Sequence, residues 1–177
     1  MTTDTATATA TTTQIYRIYI KATPERIWEA IVSPDWSEKY YYGTRVDFDL
    51  RPGGAYRAAP GAPMLAGFEA MGMDAPDVVV DGEVVESDPP RKLVHTFRLL
   101  MDPTVAGEGH TRVTWELLPI TDEVTKVVVT HDVTDAPATA TMIHGDGEAD
   151  GNGGGGWDQI LSALKTVLET GDVLVTG

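Results

Sequence analysis

Apolar residues recur at the helical period over the last long segment of the chain, and at period two over most of what precedes it. Trp157, Ile160, Leu161, Leu164, Val167 and Leu168 stand at i, i+3, i+4, i+7, i+10 and i+11. This broad stripe predicts a helix from Asp158 to Thr170. Asp158 sits where the positive end of the helix dipole favours an anion, and Gly171 can close the helix in a left-handed conformation. Upstream, Tyr16, Ile18 and Ile20 alternate with Arg17, Tyr19 and Lys21, which predicts a strand. Val46, Phe48 and Leu50 repeat the alternation, as do Val113, Trp115 and Leu117, then Val127, Val129, His131 and Val133. Val78–Glu86 and Lys92–Leu100 make a further strand pair around Ser87-Asp88-Pro89-Pro90, whose prolines cannot sit in a central ladder. One amphipathic helix after a series of amphipathic strands must lie against the sheet those strands form. The expectation is an α+β fold, a curved antiparallel sheet holding one helix with a pocket between them.

Punctuation along the chain fills in the rest. Thr23-Pro24 and Ser33-Pro34 each pair a capping side chain with a proline suited to a first helical turn. They predict two short helices after the first strand, the first with Ile27, Trp28 and Ile31 turned inward. Pro52-Gly53-Gly54 is a turn, and Ala55–Ala58 begins the return strand. Ala59–Asp77 reads as a loop holding about two turns of helix, with Met64, Phe68 and Met71 at i, i+4 and i+7. Ala136–Gly155 reads as a Gly-rich, acidic, mobile connection. Residues 1–13, almost all Thr and Ala, read as a disordered tail, 14–171 as a single domain, and 172–177 as a short C-terminal tail.

Composition narrows the function more than the fold. The absence of cysteine excludes disulfides, thiolate zinc sites and cysteine nucleophiles. A net charge of −14, from 27 acidic and 13 basic residues, repels phosphate backbones and anionic lipid. Arg91-Lys92 is the only adjacent basic pair, so no nucleic-acid partner is expected. No apolar run approaches the roughly 18 residues of a membrane span, and no basic start with an apolar core marks a secretory signal. The expected location is cytoplasmic, with no membrane insertion.

Five segments in order carry a resemblance: Ala22-Thr23-Pro24-Glu25-Arg26-Ile27-Trp28, Asp49-Leu50-Arg51-Pro52-Gly53-Gly54, Asp88-Pro89-Pro90-Arg91-Lys92-Leu93-Val94, Thr111-Arg112-Val113-Thr114-Trp115 and Gly156-Trp157. Together, from about Gln14 to Gly171, they resemble the START-like SRPBCC superfamily, in the branch named after activators of the heat-shock chaperone ATPase (AHSA1-like). The resemblance implies a helix-grip fold, like that of the birch-pollen allergen. Six or seven antiparallel strands wrap a long C-terminal helix, and two small helices follow strand 1. Members of the superfamily include ligand carriers, polyketide cyclases, chaperone cofactors and resistance proteins, so the fold leaves the function open. The Met-rich stretch Pro60–Met73 looks enlarged against the family pattern, and Ala136–Gly155 is unusually Gly-rich.

His95 shares its strand face with Leu93, Phe97 and Leu99, and His131 shares one with Val127 and Val129. Both should point inward, either as core histidines satisfied by hydrogen bonds or as polar anchors in a ligand pocket. Met64, Phe68 and Met71 are candidates for an apolar lid or, on the bland reading, a satellite cluster or dimer contact. Trp28, Trp36 and Tyr40 lie by resemblance at one end of the pocket, while Trp115 and Trp157 read as packing anchors. Asp146, Glu148, Asp150 and Asn152 partly imitate a calcium loop, but Trp157 stands where the closing Glu is needed. No cofactor and no metal site are expected.

The function expected first is binding or sequestration of a small hydrophobic molecule, polycyclic or polyketide-like, as in carriage or self-resistance. Its walls and mouth would be Tyr40, Tyr56, Phe68, Met71, His95, Phe97, Trp115, His131, Leu161 and Leu164. An aromatase/cyclase-type enzyme using His95 or His131 comes second, and an interaction module modulating a chaperone ATPase third. A homodimer is left open. A cavity of a few hundred Å3 is what the first two readings require; a filled interior favours the third.

Overall fold

The computed structural model describes residues 12–145 and 155–174. In chain order they form β1 (Thr13–Ile20), α1 (Pro24–Val32), α2 (Pro34–Tyr40), β2 (Thr44–Phe48), β3 (Ala55–Pro60), α3 (Ala62–Ala70), β4 (Val80–Asp88), β5 (Lys92–Leu99), α4 (Pro103–Gly107), β6 (Thr111–Pro119), β7 (Thr125–Asp132), α5 (Pro137–His144) and α6 (Gly156–Thr170). The seven strands make one sheet in the order β1-β7-β6-β5-β4-β3-β2. Every neighbouring pair is antiparallel. Only β1 departs from hairpin order: α1 and α2 carry the chain from one edge of the sheet to the other. This is the helix-grip arrangement that the resemblance implies.

Side-chain parity follows the alternation read from sequence. Leu93, His95 and Phe97 of β5, Val113, Trp115 and Leu117 of β6, and Val127, Val129 and His131 of β7 are all buried. They face α6, whose buried residues Trp157, Ile160, Leu161, Leu164, Val167 and Leu168 are the stripe predicted for it. Gly171 ends the helix at φ 79°, the left-handed geometry that costs glycine least. A bulge between Val84 and Glu86 shifts the β4–β5 register, and such bulges increase local twist and bend a strand. Gly82 permits the closest approach in that region. A Cβ there would stand 2.0 Å from the Thr96 carbonyl oxygen and 3.0 Å from the Tyr56 ring.

Polar contacts hold the C-terminal half of α6 against the sheet edge. Lys165 Nζ donates to the Tyr19 carbonyl at 2.8 Å, and Glu169 accepts from the Lys21 amide at 2.7 Å. Both satisfy backbone groups on the open side of β1, which lessens the exposure of an edge strand.

The small helices differ from expectation in instructive ways. Thr23 caps α1, its hydroxyl accepting from the Arg26 amide at 3.3 Å. Ser33 precedes α2 with no side-chain cap, and its successor Pro34 opens the helix. The first half of the connection expected to be mobile is ordered as α5, and α4 is a further short helix. The calcium-like residues 146–152 lie outside the described residues, as does the tail over residues 1–11. Thr13, assigned to that tail from sequence, already belongs to β1. Residues 175–177 of the C-terminal tail also lie outside them.

Two helices lacking a capping side chain of their own borrow one. Gly61 precedes α3, and Glu38 from α2 accepts from the Ala62 amide at 2.7 Å. Ala136 precedes α5, and Glu108 accepts from the amides of Ala138 at 2.7 Å and Thr139 at 2.9 Å. Each carboxylate also meets the favourable end of a helix dipole.

Candidate functional site

Eight of the ten expected site residues come together between sheet and helix: Tyr40, Tyr56, His95, Phe97, Trp115, His131, Leu161 and Leu164 are all buried. Tyr40, Tyr56, His95 and Trp115 line one small void, joined by Ile31, Tyr41, Val46 and Phe48. That void holds about 10 Å3, roughly the space of one water molecule. The expected open cavity of a few hundred Å3 is not found there, because aromatic rings occupy the volume. Phe48 stacks on Tyr56 with centroids 4.7 Å apart, and Tyr56 lies 4.2 Å from the His95 ring. Trp115 and Trp157 meet edge to face at 5.3 Å.

Phe68 and Met71 do not join this group. No residue of α3 is buried, Met71 is 65% exposed, and the lining of the void includes neither. The stretch offered as a lid or a satellite cluster is an exposed helix, and of its side chains Met64 packs against the core.

The two histidines are fixed by donors that cannot reverse. Trp115 Nε1 donates to His95 Nε2 at 3.3 Å, so Nδ1 of His95 carries the proton and donates to the Thr96 carbonyl at 2.8 Å. Trp157 Nε1 donates to His131 Nδ1 at 3.0 Å, so His131 Nε2 donates to Thr111 Oγ1 at 2.7 Å. The Thr111 hydroxyl in turn donates to the Phe97 carbonyl at 3.2 Å. Burial pushes His95 down to about 4, with partial compensation from the Thr96 carbonyl. Burial, then the proximity of His95, pushes His131 down to about 3. Both rings are neutral near pH 7, and each ring nitrogen already has a partner.

The tyrosines are likewise engaged. Tyr40 donates to the Ala30 carbonyl at 2.9 Å, and Tyr41 and Tyr56 face each other across the small void. Burial raises Tyr41 to about 12 and Tyr56 well above its ordinary value. Among the described residues, no buried side-chain nitrogen or oxygen lacks a partner. The polar side chains that fix the core, His95, His131, Trp115 and Trp157, are therefore engaged with one another, with Thr111 or with backbone.

Sequence reading missed Tyr41, Phe48 and Thr111. Thr111 was legible, since it has the parity of Val113 and Trp115 on β6. Tyr41 was not, because it sits past the end of α2 with φ −108° and ψ 62°, outside any periodic pattern.

A second recess, an open trough of about 400 Å3, lies on the outer face of the sheet between Ala55, Arg57, Asp81, Gly82, Glu83, Thr96 and His110. Asp81 receives two bonds from Arg98, at 3.0 and 2.6 Å, and lies 3.1 Å from His110. Arg98 first, against partial burial, holds its carboxyl below the usual range. The trough is polar and its central carboxylate is engaged.

The description "Activator of Hsp90 ATPase homolog 1-like protein" matches residues 21–169. The chain belongs to that family. Among solved structures, a protein from Mesorhizobium loti is 21% identical with a TM-score of 0.62, the match covering 90% of this chain and 98% of the other. The Aha1 dimer from Colwellia psychrerythraea is 20% identical with a TM-score of 0.55, covering 90% and 97%. DynU16, from the dynemicin biosynthetic locus, is 17% identical with a TM-score of 0.60, covering 92% of this chain and 49% of its own. These likenesses bear on the fold, which is the helix-grip arrangement described above. The comparison with curated proteins returns no match. No helix among the described residues is long and apolar enough to cross a membrane.

Proposed function

We propose that this chain is a protein-interaction module acting on a chaperone ATPase of the Hsp90 class, the function that the sequence placed third. The filled interior carries this reading. A void of about 10 Å3 is far below the roughly 300–1,000 Å3 of ligand sites, and Tyr40, His95 and Trp115 on its wall already have hydrogen-bond partners. Opening a cavity there would expose the His95 and Trp115 nitrogens and separate stacked rings. Proton transfer meets the same obstacle, because neither histidine offers a free nitrogen. Membership of the activator-like family supports the same direction. The test is the steady-state ATP hydrolysis rate of a purified Hsp90-class chaperone with and without the chain, paired with a pull-down. A stimulated rate and a stable complex are expected; an unchanged rate with no complex would reject the reading.

The likeness to DynU16, from a biosynthetic locus, favours a second reading, binding of a small polycyclic aromatic molecule for which the rings around the void would have to part. Trp115 lies on its wall, so a bound ligand would quench indole fluorescence. Saturable quenching by an anthraquinone, lost in Trp115→Phe, supports this second reading; none at micromolar concentrations removes it.

A further inference from the structure

The geometry points to α3 as a docking element that inserts into an apolar groove rimmed by Lys and Arg on the chaperone ATPase, and this rests on the interaction reading above. Three observations carry it. First, α3 and its continuation, Ala-Pro-Met-Leu-Ala-Gly-Phe-Glu-Ala-Met-Gly-Met, have Glu69 as their only charge. A helix apolar on all sides is ordinarily buried. Here none of it is: Leu65 is 48%, Met71 65% and Met73 56% exposed. Exposed apolar patches of this kind mark interaction sites, and methionine adapts to partner surfaces of irregular shape.

Second, the helix is held at its base, with Met64 against the core, and leaves Leu65 and Met71 uncovered. Glu38 accepts from the Ala62 amide at 2.7 Å and from Arg45 at 2.9 Å. The Gly61 amide donates to the Gly43 carbonyl at 2.8 Å. In the far half Met71 and Met73 are exposed and Phe68 is half-buried. This is the arrangement of a helix presented to a groove.

Third, charge selects the partner. No Lys, Arg or His stands between Arg57 and Arg91, while Glu69, Asp74 and Asp77 border the apolar side chains. That acidic border complements a basic rim and repels anionic lipid, which amphipathic helices with basic faces prefer. At roughly 1.5 Å per residue, a helix of this length is also too short to span a bilayer. Two copies joined through α3 alone would set Glu69 against the same acidic border. A distinct, basic-rimmed protein surface is the occupant that fits.

The test is the affinity of the full chain for a purified Hsp90-class chaperone, measured by calorimetry across a salt series. Phe68→Ser with Met71→Ser should weaken binding by at least about tenfold, as loss of apolar anchors does. Glu69→Lys with Asp74→Lys should slow association and abolish its salt dependence. The charge pair should not move the melting temperature by more than about 2 °C, since exposed positions contribute little to folding, and Met71→Ser alone, also exposed, separates lost binding from any destabilisation by the half-buried Phe68. Wild-type binding that both pairs leave unchanged overturns the docking inference while the interaction reading stands. A wild-type chain that neither binds nor stimulates the chaperone overturns both. Dimerisation lost in the serine pair, or capture of the chain by phosphatidylglycerol vesicles through α3, also overturns the inference.

Discussion

The indole N–H of Trp157, in the first turn of α6, donates to Nδ1 of His131 on β7 at 3.0 Å. Through Nε2 the same imidazole reaches Thr111 on β6, whose hydroxyl reaches the Phe97 carbonyl on β5. One line of four groups thus fastens the start of the helix to three strands. Trp157→Phe removes the donor, keeps most of the volume, and leaves a buried acceptor unpaired. We expect a loss of about 1–3 kcal/mol in unfolding free energy, read by urea denaturation. An unchanged midpoint would show that the bond contributes nothing net.

The pH dependence of stability follows from the same rings. Their folded values, about 4 for His95 and about 3 for His131, lie below the ordinary 6.5. Between these limits the unfolded chain binds more protons than the folded one, so stability falls as pH falls. The histidine contribution is complete above about pH 6.5 and lost on the way down through about 4 and about 3. Urea midpoints should decline from neutral pH toward about pH 4. The decline should be shallower in His95→Gln/His131→Gln, and parallel curves would contradict the neutral-ring assignment.

A filled interior makes a prediction by subtraction. Leu164 is fully buried, and Leu164→Ala should cost about 2–5 kcal/mol while leaving a dry cavity. Such apolar cavities accept benzene-sized molecules. Thermal shifts with benzene should therefore appear in the variant and not in the wild type. A comparable shift in both would mean that the native core opens readily.

Borrowed caps can be tested one helix at a time. Glu108→Ala deprives α5 of its partner for the amides of Ala138 and Thr139, an effect of about 1 kcal/mol for a lost cap. Hydrogen exchange at those two amides should accelerate while β5 and β6 amides stay protected. Global acceleration instead would give Glu108 a role in the whole domain.

The alternation of buried and exposed side chains made β1, β2 and β5–β7 legible, because one face of the sheet is packed and period two records that. The stripe in α6 was legible for the same reason at period 3.6. α5 was not, because its cap arrives from Glu108, and no local signal at Ala136 announces a start. The inward direction of His95 and His131 could be read from parity, but not their occupation by Trp115 and Trp157. Nor could the filling of the core be read. It depends on how Phe48, Tyr56, His95 and Trp115 meet from four different strands, and spacing along one strand carries no information about volumes summed across several.

Pinning α6 at both extremities, by Trp157 near its start and by Lys165 and Glu169 toward its finish, has a mechanical consequence. The helix cannot swing outward to dilate the interior without breaking contacts at each end. Any breathing must begin instead at the β2–β3 margin, where Val46, Phe48 and Tyr56 meet Tyr41 around the single-water void. Native-state exchange should accordingly find its fastest-opening core amides in β2, and its slowest in the strands that α6 spans.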